Sequence, residues 1–305
     1  MKHSEKKHSE KKYAEKRQDK KKTFDTSVSE IFSDGRSCPG VQDFQQMVLS
    51  YFEEHGRDLA WRHTSDPYQI LVSEIMLQQT QVERVAAKFP EFIRAFPDFA
   101  ALAAASLEDI LSVWQGMGYN RRAISLHKCA QRVRGEYDGQ LPADIDTLAT
   151  FPGIGRATAS SIGAFAFSMP VVFIETNIRR VFIHFFFPHS PTVSDAEIFP
   201  LVEQTLYRPD PRTWYWALMD LGSALKKTVI NPNRRSAHYT KQSPFEGSDR
   251  KIRGIILKIL LTEHSLQEDE LMVRLHEDRY RVAGILRTLE SEGFIQRKNN
   301  EYQLA

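Results

Sequence analysis

The sequence predicts a mainly α-helical protein built from more than one compact unit. Apolar residues recur at helical spacing in segment after segment, strand signals are sparse, and 305 residues exceed one average domain. The longest apolar stretches, around Met169–Ile174 and Val181–Phe187, are too short to span a bilayer. The first residues lack the apolar core of a secretory signal. Two cysteines, Cys38 and Cys129, give neither a disulfide framework nor metal-ligand spacing. A cytoplasmic setting without a membrane partner is expected, associated with the nucleoid if the cell is prokaryotic.

Residues 1–24 read as a basic, disordered tail. Residues 1–22 carry net charge +6, which leaves −4 on the remainder of a chain whose total is +2. Such a tail is either a solvated arm or a non-specific tether to phosphates. Binding of any polyanion by the mildly acidic remainder therefore needs local patches. From Val41 to Arg57, Phe44, Val48, Tyr51 and Phe52 recur at helical spacing. Asp66-Pro67 sets a helix start, and the helix is expected to run from Tyr68 to Val85. Ser106-x-x-Asp109 resembles a cap before Ile110–Trp114, and Ala123–Tyr137 is amphipathic. Pro170–Ile174 is the one strand candidate in this part, and the helices around it favour a buried connection. About ten helices thus make one unit over 25–230.

Residues 231–247 shift to Asn, Arg, Ser, His, Lys and Gly and read as a basic linker. A helix follows over Ser248–Glu263, with Ile252, Ile255, Ile256, Ile259 and Leu260 on one face. Further helices follow over Gln267–His276 and Asp278–Glu292. Two short strands around Asn299-Asn300 complete 248–305. Three helices and a hairpin resemble a winged helix. The unit is either a packing module or a DNA contact, through Arg279, Arg281 and Arg287 or through Arg297 and Lys298.

The most informative stretch is Phe151-Pro152-Gly153-Ile154-Gly155-Arg156-Ala157-Thr158-Ala159. A Pro-Gly-apolar-Gly turn opening a small-residue helix brings backbone N–H groups up to a phosphate, where the helix dipole favours an anion. A carboxylate near a nucleic-acid strand is repelled, so its usual reason to be there is chemistry. Acid–base chemistry on a bound strand needs one group that gives a proton and one that stabilises a developing positive charge. One protonated and one ionised carboxylate can supply both. The sequence offers Glu74, among the apolar residues Ile70, Leu71, Val72, Ile75 and Leu77, and Glu175, in Ile174-Glu175-Thr176-Asn177. Apolar surroundings would raise the pKa of Glu74, as an acid requires.

These blocks, with S-E-I-M-L-Q-Q-T at 73–80, W-Q-G-M-G-Y-N-R-R at 114–122 and A-L-M-D-L-G at 217–222, resemble the helix-hairpin-helix DNA glycosylase superfamily. The match covers roughly residues 40–225 and extends to the adenine-specific branch. It implies a two-lobed helical helix-hairpin-helix glycosylase fold, followed here by the small winged-helix-like domain. It also implies base excision repair on double-stranded DNA bearing a mismatch or lesion, with the enzyme acting as a monomer. Adenine opposite guanine or 8-oxoguanine is the expected target. The alternatives are the same scaffold acting on mismatched thymine, uracil or hypoxanthine, or an inactive DNA-binding regulator.

By this resemblance Glu74 protonates the base, and Glu175 stands where the family has aspartate. Trp61, Arg62, Asn177 and Asp220 match the base pocket, with core packing the other reading of Trp61. Gln78, Gln79 and Tyr119 match groups that fill the gap left by a flipped base, and Gly153, Gly155, Arg156 and Thr158 match the hairpin's DNA contacts. Ala157 occupies the lysine position of lyase-type relatives, so a monofunctional hydrolase is implied. The adenine branch often has tyrosine there, and Asn120 replaces a second family tyrosine. Counting the family's iron–sulfur spacing, C-x6-C-x2-C-x5-C, lands on Lys226, Asn233, Ser236 and Gln242, none of which supplies a thiolate. No cofactor is expected, although a monovalent cation at the hairpin is compatible. In place of the family's C-terminal oxoguanine-reading domain, the winged-helix-like unit is expected.

Overall fold

In the computed structural model the described residues are 40–241 and 244–305, so the expectations for the basic tail and Cys38 lie outside them. The chain forms two compact units. The first comprises residues 40–56, 174–207 and 214–239, and the second 57–173, 208–213 and the described part of 240–305. The C-terminal segment thus clusters with the 57–173 helices rather than standing as a unit of its own.

In the first unit, α1 (Val41–His55) buries Phe44 and Val48. Phe44 meets Phe182, Phe185, Phe186 and Trp214 edge-on, at centroid separations of 5.0–6.0 Å. Those rings belong to α9 (Thr176–Phe186) and α11 (Pro211–Thr228). Between these helices lies α10 (Asp195–Thr205), started by a capping box between Ser194 and Glu197. Residues 231–239, expected to be linker, are folded here. Pro232–Arg235 is a 3₁₀ turn with Pro232 and Asn233 buried, and Ser236 makes a parallel bridge with Val193. Arg235 fixes the turn by donating to the carbonyls of Ile183, Phe187, Pro188 and Ser190.

The second unit begins with α2 (Pro67–Leu77), capped by Asp66. Its other helices before residue 174 are α3 (Val82–Ala95), α4 (Phe99–Ala104), α5 (Leu107–Trp114), α6 (Arg121–Glu136), α7 (Ile145–Leu148) and α8 (Arg156–Phe167). Ser106 caps α5 by accepting from Asp109 N–H at 3.0 Å. The continuous helix expected over Tyr68–Val85 is broken. It stops at Leu77, and Gln79 adopts a left-handed backbone, φ 54°. The reason is Arg122, which is 8% exposed. It donates to the carbonyls of Ile75, Met76 and Gln78 and to the Thr80 hydroxyl. A buried cation satisfied by carbonyls at a helix end outweighs the local preference for another turn.

The C-terminal segment has α12 (Asp249–Glu263), β1 (Ser265–Gln267), α13 (Glu268–Leu275), α14 (Arg279–Ser291), β2 (Ile295–Lys298) and β3 (Glu301–Leu304). The sheet is antiparallel in the order β1-β3-β2. The three helices and terminal hairpin match the sequence reading, whereas β1 is additional. Leu266 on β1 faces Tyr302 in register, and both are buried. One hydrophobic cluster runs from Trp61, Phe92 and Trp114 to Ile256, Leu286 and Phe294. Among the described residues no helix is long and apolar enough to cross a membrane.

Candidate active site

The hairpin turn is built around Gly153 and Gly155. Gly153 has φ 75°, and a Cβ there would lie 2.8 Å from Ser125 Cβ, so conformation and space both require glycine. Gly155 differs from Gly153. Its backbone is extended, at φ −87° and ψ 172°, and a Cβ would meet nothing within 4 Å. That glycine keeps the approach to the α8 N-terminus open, and no side chain caps that terminus. Arg156 is exposed and paired with Asp146 at 2.6 Å. Cys129 donates to the Pro152 carbonyl at 3.3 Å, and burial pushes its thiol up to about 12. It anchors the hairpin rather than serving as a nucleophile.

Glu74 lies on α2 in the same unit, half-buried. The Ser161 hydroxyl is 2.6 Å from Glu74 Oε2 and 2.9 Å from the Thr158 carbonyl. A hydroxyl has one proton and can also accept. It donates to Glu74 when the carboxylate is ionised. When Glu74 is protonated the chain reverses, with Glu74 donating to Ser161 and Ser161 to Thr158. Either protonation state is thereby satisfied. Sequence reading missed Ser161, because nothing local ties α8 to α2.

The Gln78 amide donates to the Gly153 carbonyl at 3.1 Å and lies 3.4 Å from Thr158 Oγ1, which joins the S-E-I-M-L-Q-Q-T block to the hairpin. Gln79 is exposed on its left-handed backbone. Tyr119, φ 49°, accepts from Arg250 at 2.6 Å through its hydroxyl, and the same guanidinium covers its ring. Trp61 is 4% exposed and packs edge-on against Phe89, so the structure gives it a core position. Arg62 is half-buried and donates to the Arg57 carbonyl.

In the first unit Glu175 is the N-cap of α9. Its Oε1 accepts from Asn177 N–H at 2.7 Å and Ile178 N–H at 2.8 Å, and its Oε2 from the Asn177 amide at 3.2 Å. Burial raises its pKa. The two N–H donors, Arg180 and Arg179 oppose that rise without cancelling it. Neither arginine directs its hydrogen bonds to Glu175. Arg179 forks onto Asp195 at 2.6 and 2.7 Å. Arg180, 3% exposed, donates to Asn177, Asn231 and the Gly222 carbonyl.

Gly222 explains the end of A-L-M-D-L-G. A Cβ there would meet the Asn177 carbonyl oxygen at 2.4 Å, so only glycine lets α11 approach the start of α9. Asp220, 3% exposed, is buried two residues earlier. The packing role of Gly222 has no signal in the sequence, since close approach leaves no local pattern. Asn233 donates to the Thr176 carbonyl, and Ser236 accepts from His238 N–H. Asn233 and Ser236 are thus committed to hydrogen bonds, and these positions do not fit an iron–sulfur cluster.

Residues 72–199 match the HhH-GPD superfamily of base excision DNA repair proteins. An adenine DNA glycosylase of Mycolicibacterium smegmatis is 36% identical over 232 residues, covering 70% of this chain and 78% of the relative. The chain belongs to the HhH-GPD superfamily. It is a DNA glycosylase, a hydrolytic enzyme of base excision repair. A similar relative, the adenine DNA glycosylase of Mycobacterium tuberculosis, is 33% identical over 237 residues, with 70% and 77% coverage. The glycosylase also shares its fold with a thermostable thymine-DNA glycosylase, at TM-score 0.56 and 23% identity, over 64% of this chain and 91% of that one.

Proposed function

We propose that this glycosylase is monofunctional and releases adenine mispaired with guanine or 8-oxoguanine, acting as a monomer in the cytoplasm and without an iron–sulfur cluster. Base identity rests on relatives named adenine DNA glycosylase at 31–36% identity. The observation carrying the mechanism is Glu74 bonded to a hydroxyl that serves both of its protonation states. Protonated Glu74 gives its proton to the departing base. The C1′–N bond breaks, and its electron pair leaves with the base. The ionised Glu175 carboxylate stabilises the cation on the sugar. Water adds to C1′, and the proton it sheds restores Glu74, leaving an abasic site. Ala157 has no amine to form a Schiff base, which supports hydrolysis without strand cleavage.

Ala157 and Asn120 also favour a second reading, the same chemistry on mismatched thymine, uracil or hypoxanthine. Duplexes bearing each mismatch, scored for alkali-dependent cleavage, separate the two. Adenine release opposite guanine or 8-oxoguanine is expected, and release of another base without adenine would overturn the assignment. Glu74→Gln should abolish release with binding retained, and a variant keeping most of the single-turnover rate would remove Glu74 as the acid.

A further inference from the structure

The chemistry above leaves a large groove in the second unit without a task. It has a volume of about 1130 Å³ and runs between the 78–79 and 115–122 segments on one side and α12 and α14 on the other. Its walls are rich in cations. Arg253 and Arg281 are neutralised by Glu292 and Asp249. Arg84 and Lys258 are exposed and enter no ion pair among the described residues. Two large aromatic residues that line the groove are open to solvent, Tyr280 at 86% and Phe245 at 57%. Burying neither ring has no folding rationale, whereas exposed rings among cations suit unpaired bases and their phosphates.

The groove also carries two glycines inside helices, Gly254 of α12 and Gly284 of α14. A Cβ at either would meet nothing within 4 Å. Alanine would strengthen both helices without touching the protein. These positions keep the surface flat at the expense of helix propensity, which is explained if something flat rests there.

We propose that this groove holds the DNA strand opposite the one whose base is excised, with the nucleotide left unpaired there stacked on Tyr280. The proposal rests on the glycosylase reading. A flipped base leaves its partner without a mate, and Gln78 and Gln79, matched to the gap left by that base, border the groove. The winged-helix-like segment would then read the opposite base. Unpaired Arg84 and Lys258 suit the flanking phosphates.

The test uses the full chain carrying Glu74→Gln and a mismatched duplex with 2-aminopurine opposite the target base. Stacking should quench the 2-aminopurine on binding. Tyr280→Ala should restore its fluorescence and weaken mismatch binding at least about five-fold, with a smaller effect on fully paired DNA. Gly284→Leu should weaken mismatch binding similarly without lowering the melting temperature. Unchanged affinity and fluorescence in both variants would overturn the proposal. An equal loss on paired DNA would overturn it too, by showing a general phosphate surface. Binding is read without base release, so a wild type that frees no adenine would defeat the activity assignment while leaving this test intact.

Discussion

Replacing Arg122 with lysine tests how the loop bearing Gln78 and Gln79 is held. The guanidinium is 8% exposed. It donates to six backbone carbonyls, those of Ile75, Met76, Gln78, Met117, Gly118 and Tyr119, and to Thr80 Oγ1. Burial lowers its pKa to about 10, which still leaves a cation at neutral pH. Arginine brings five N–H donors in a fixed plane, and lysine brings three on one nitrogen. Lysine keeps the charge but abandons at least two acceptors. Hydrogen bonds from a charged donor contribute about 1.5–3 kcal/mol each. Partial rearrangement brings the expected cost of Arg122→Lys to about 2–4 kcal/mol. Urea unfolding followed by tryptophan fluorescence is the assay, because Trp114 lies under the guanidinium at 5.4 Å. Mismatch affinity should fall as well, since the 78–81 turn loses its clamp. A stability change below about 1 kcal/mol with unaltered affinity would refute the reasoning.

Gly222→Ala should destabilise the fold by about 1–3 kcal/mol and slow base release, because its Cβ meets backbone at Asn177 rather than a movable side chain; thermal melting and single-turnover rates check both. Burial raises the Glu175 pKa in the folded chain, so its contribution to stability is full below the ordinary glutamate range and is lost as pH rises through the raised value. Activity needs the anion and should climb over that same interval, and Glu175→Gln should remove this limb of the pH–rate profile. Glu175→Asp should keep a helix cap but draw the charge back from the sugar, lowering the rate on the order of 10²-fold. Borohydride should trap no protein on DNA, since the hairpin position is Ala157; efficient trapping on gels would identify another nucleophile.

The sequence by itself determined whatever depends on neighbours in the chain. Periodic apolar residues set most helices, Asp66 and Ser106 marked helix starts, and Asn299-Asn300 marked the terminal hairpin. Pro152-Gly153-Ile154-Gly155 marked the hairpin turn, in which Gly153 takes a backbone that few other residues adopt. Tertiary structure decided what depends on residues far apart. Local pattern continued a helix through Gln78 to Val85, and a guanidinium on α6 broke it by collecting the carbonyls of Ile75, Met76 and Gln78. The bond from Ser161 to Glu74, the approach of Gly222 to Asn177, and β1 with its partner β3 are likewise contacts between distant segments. Backbone preference acts within a turn or two of chain. Satisfying a buried charge or filling space acts across the fold, where it outweighs that preference and leaves no periodic trace in the sequence.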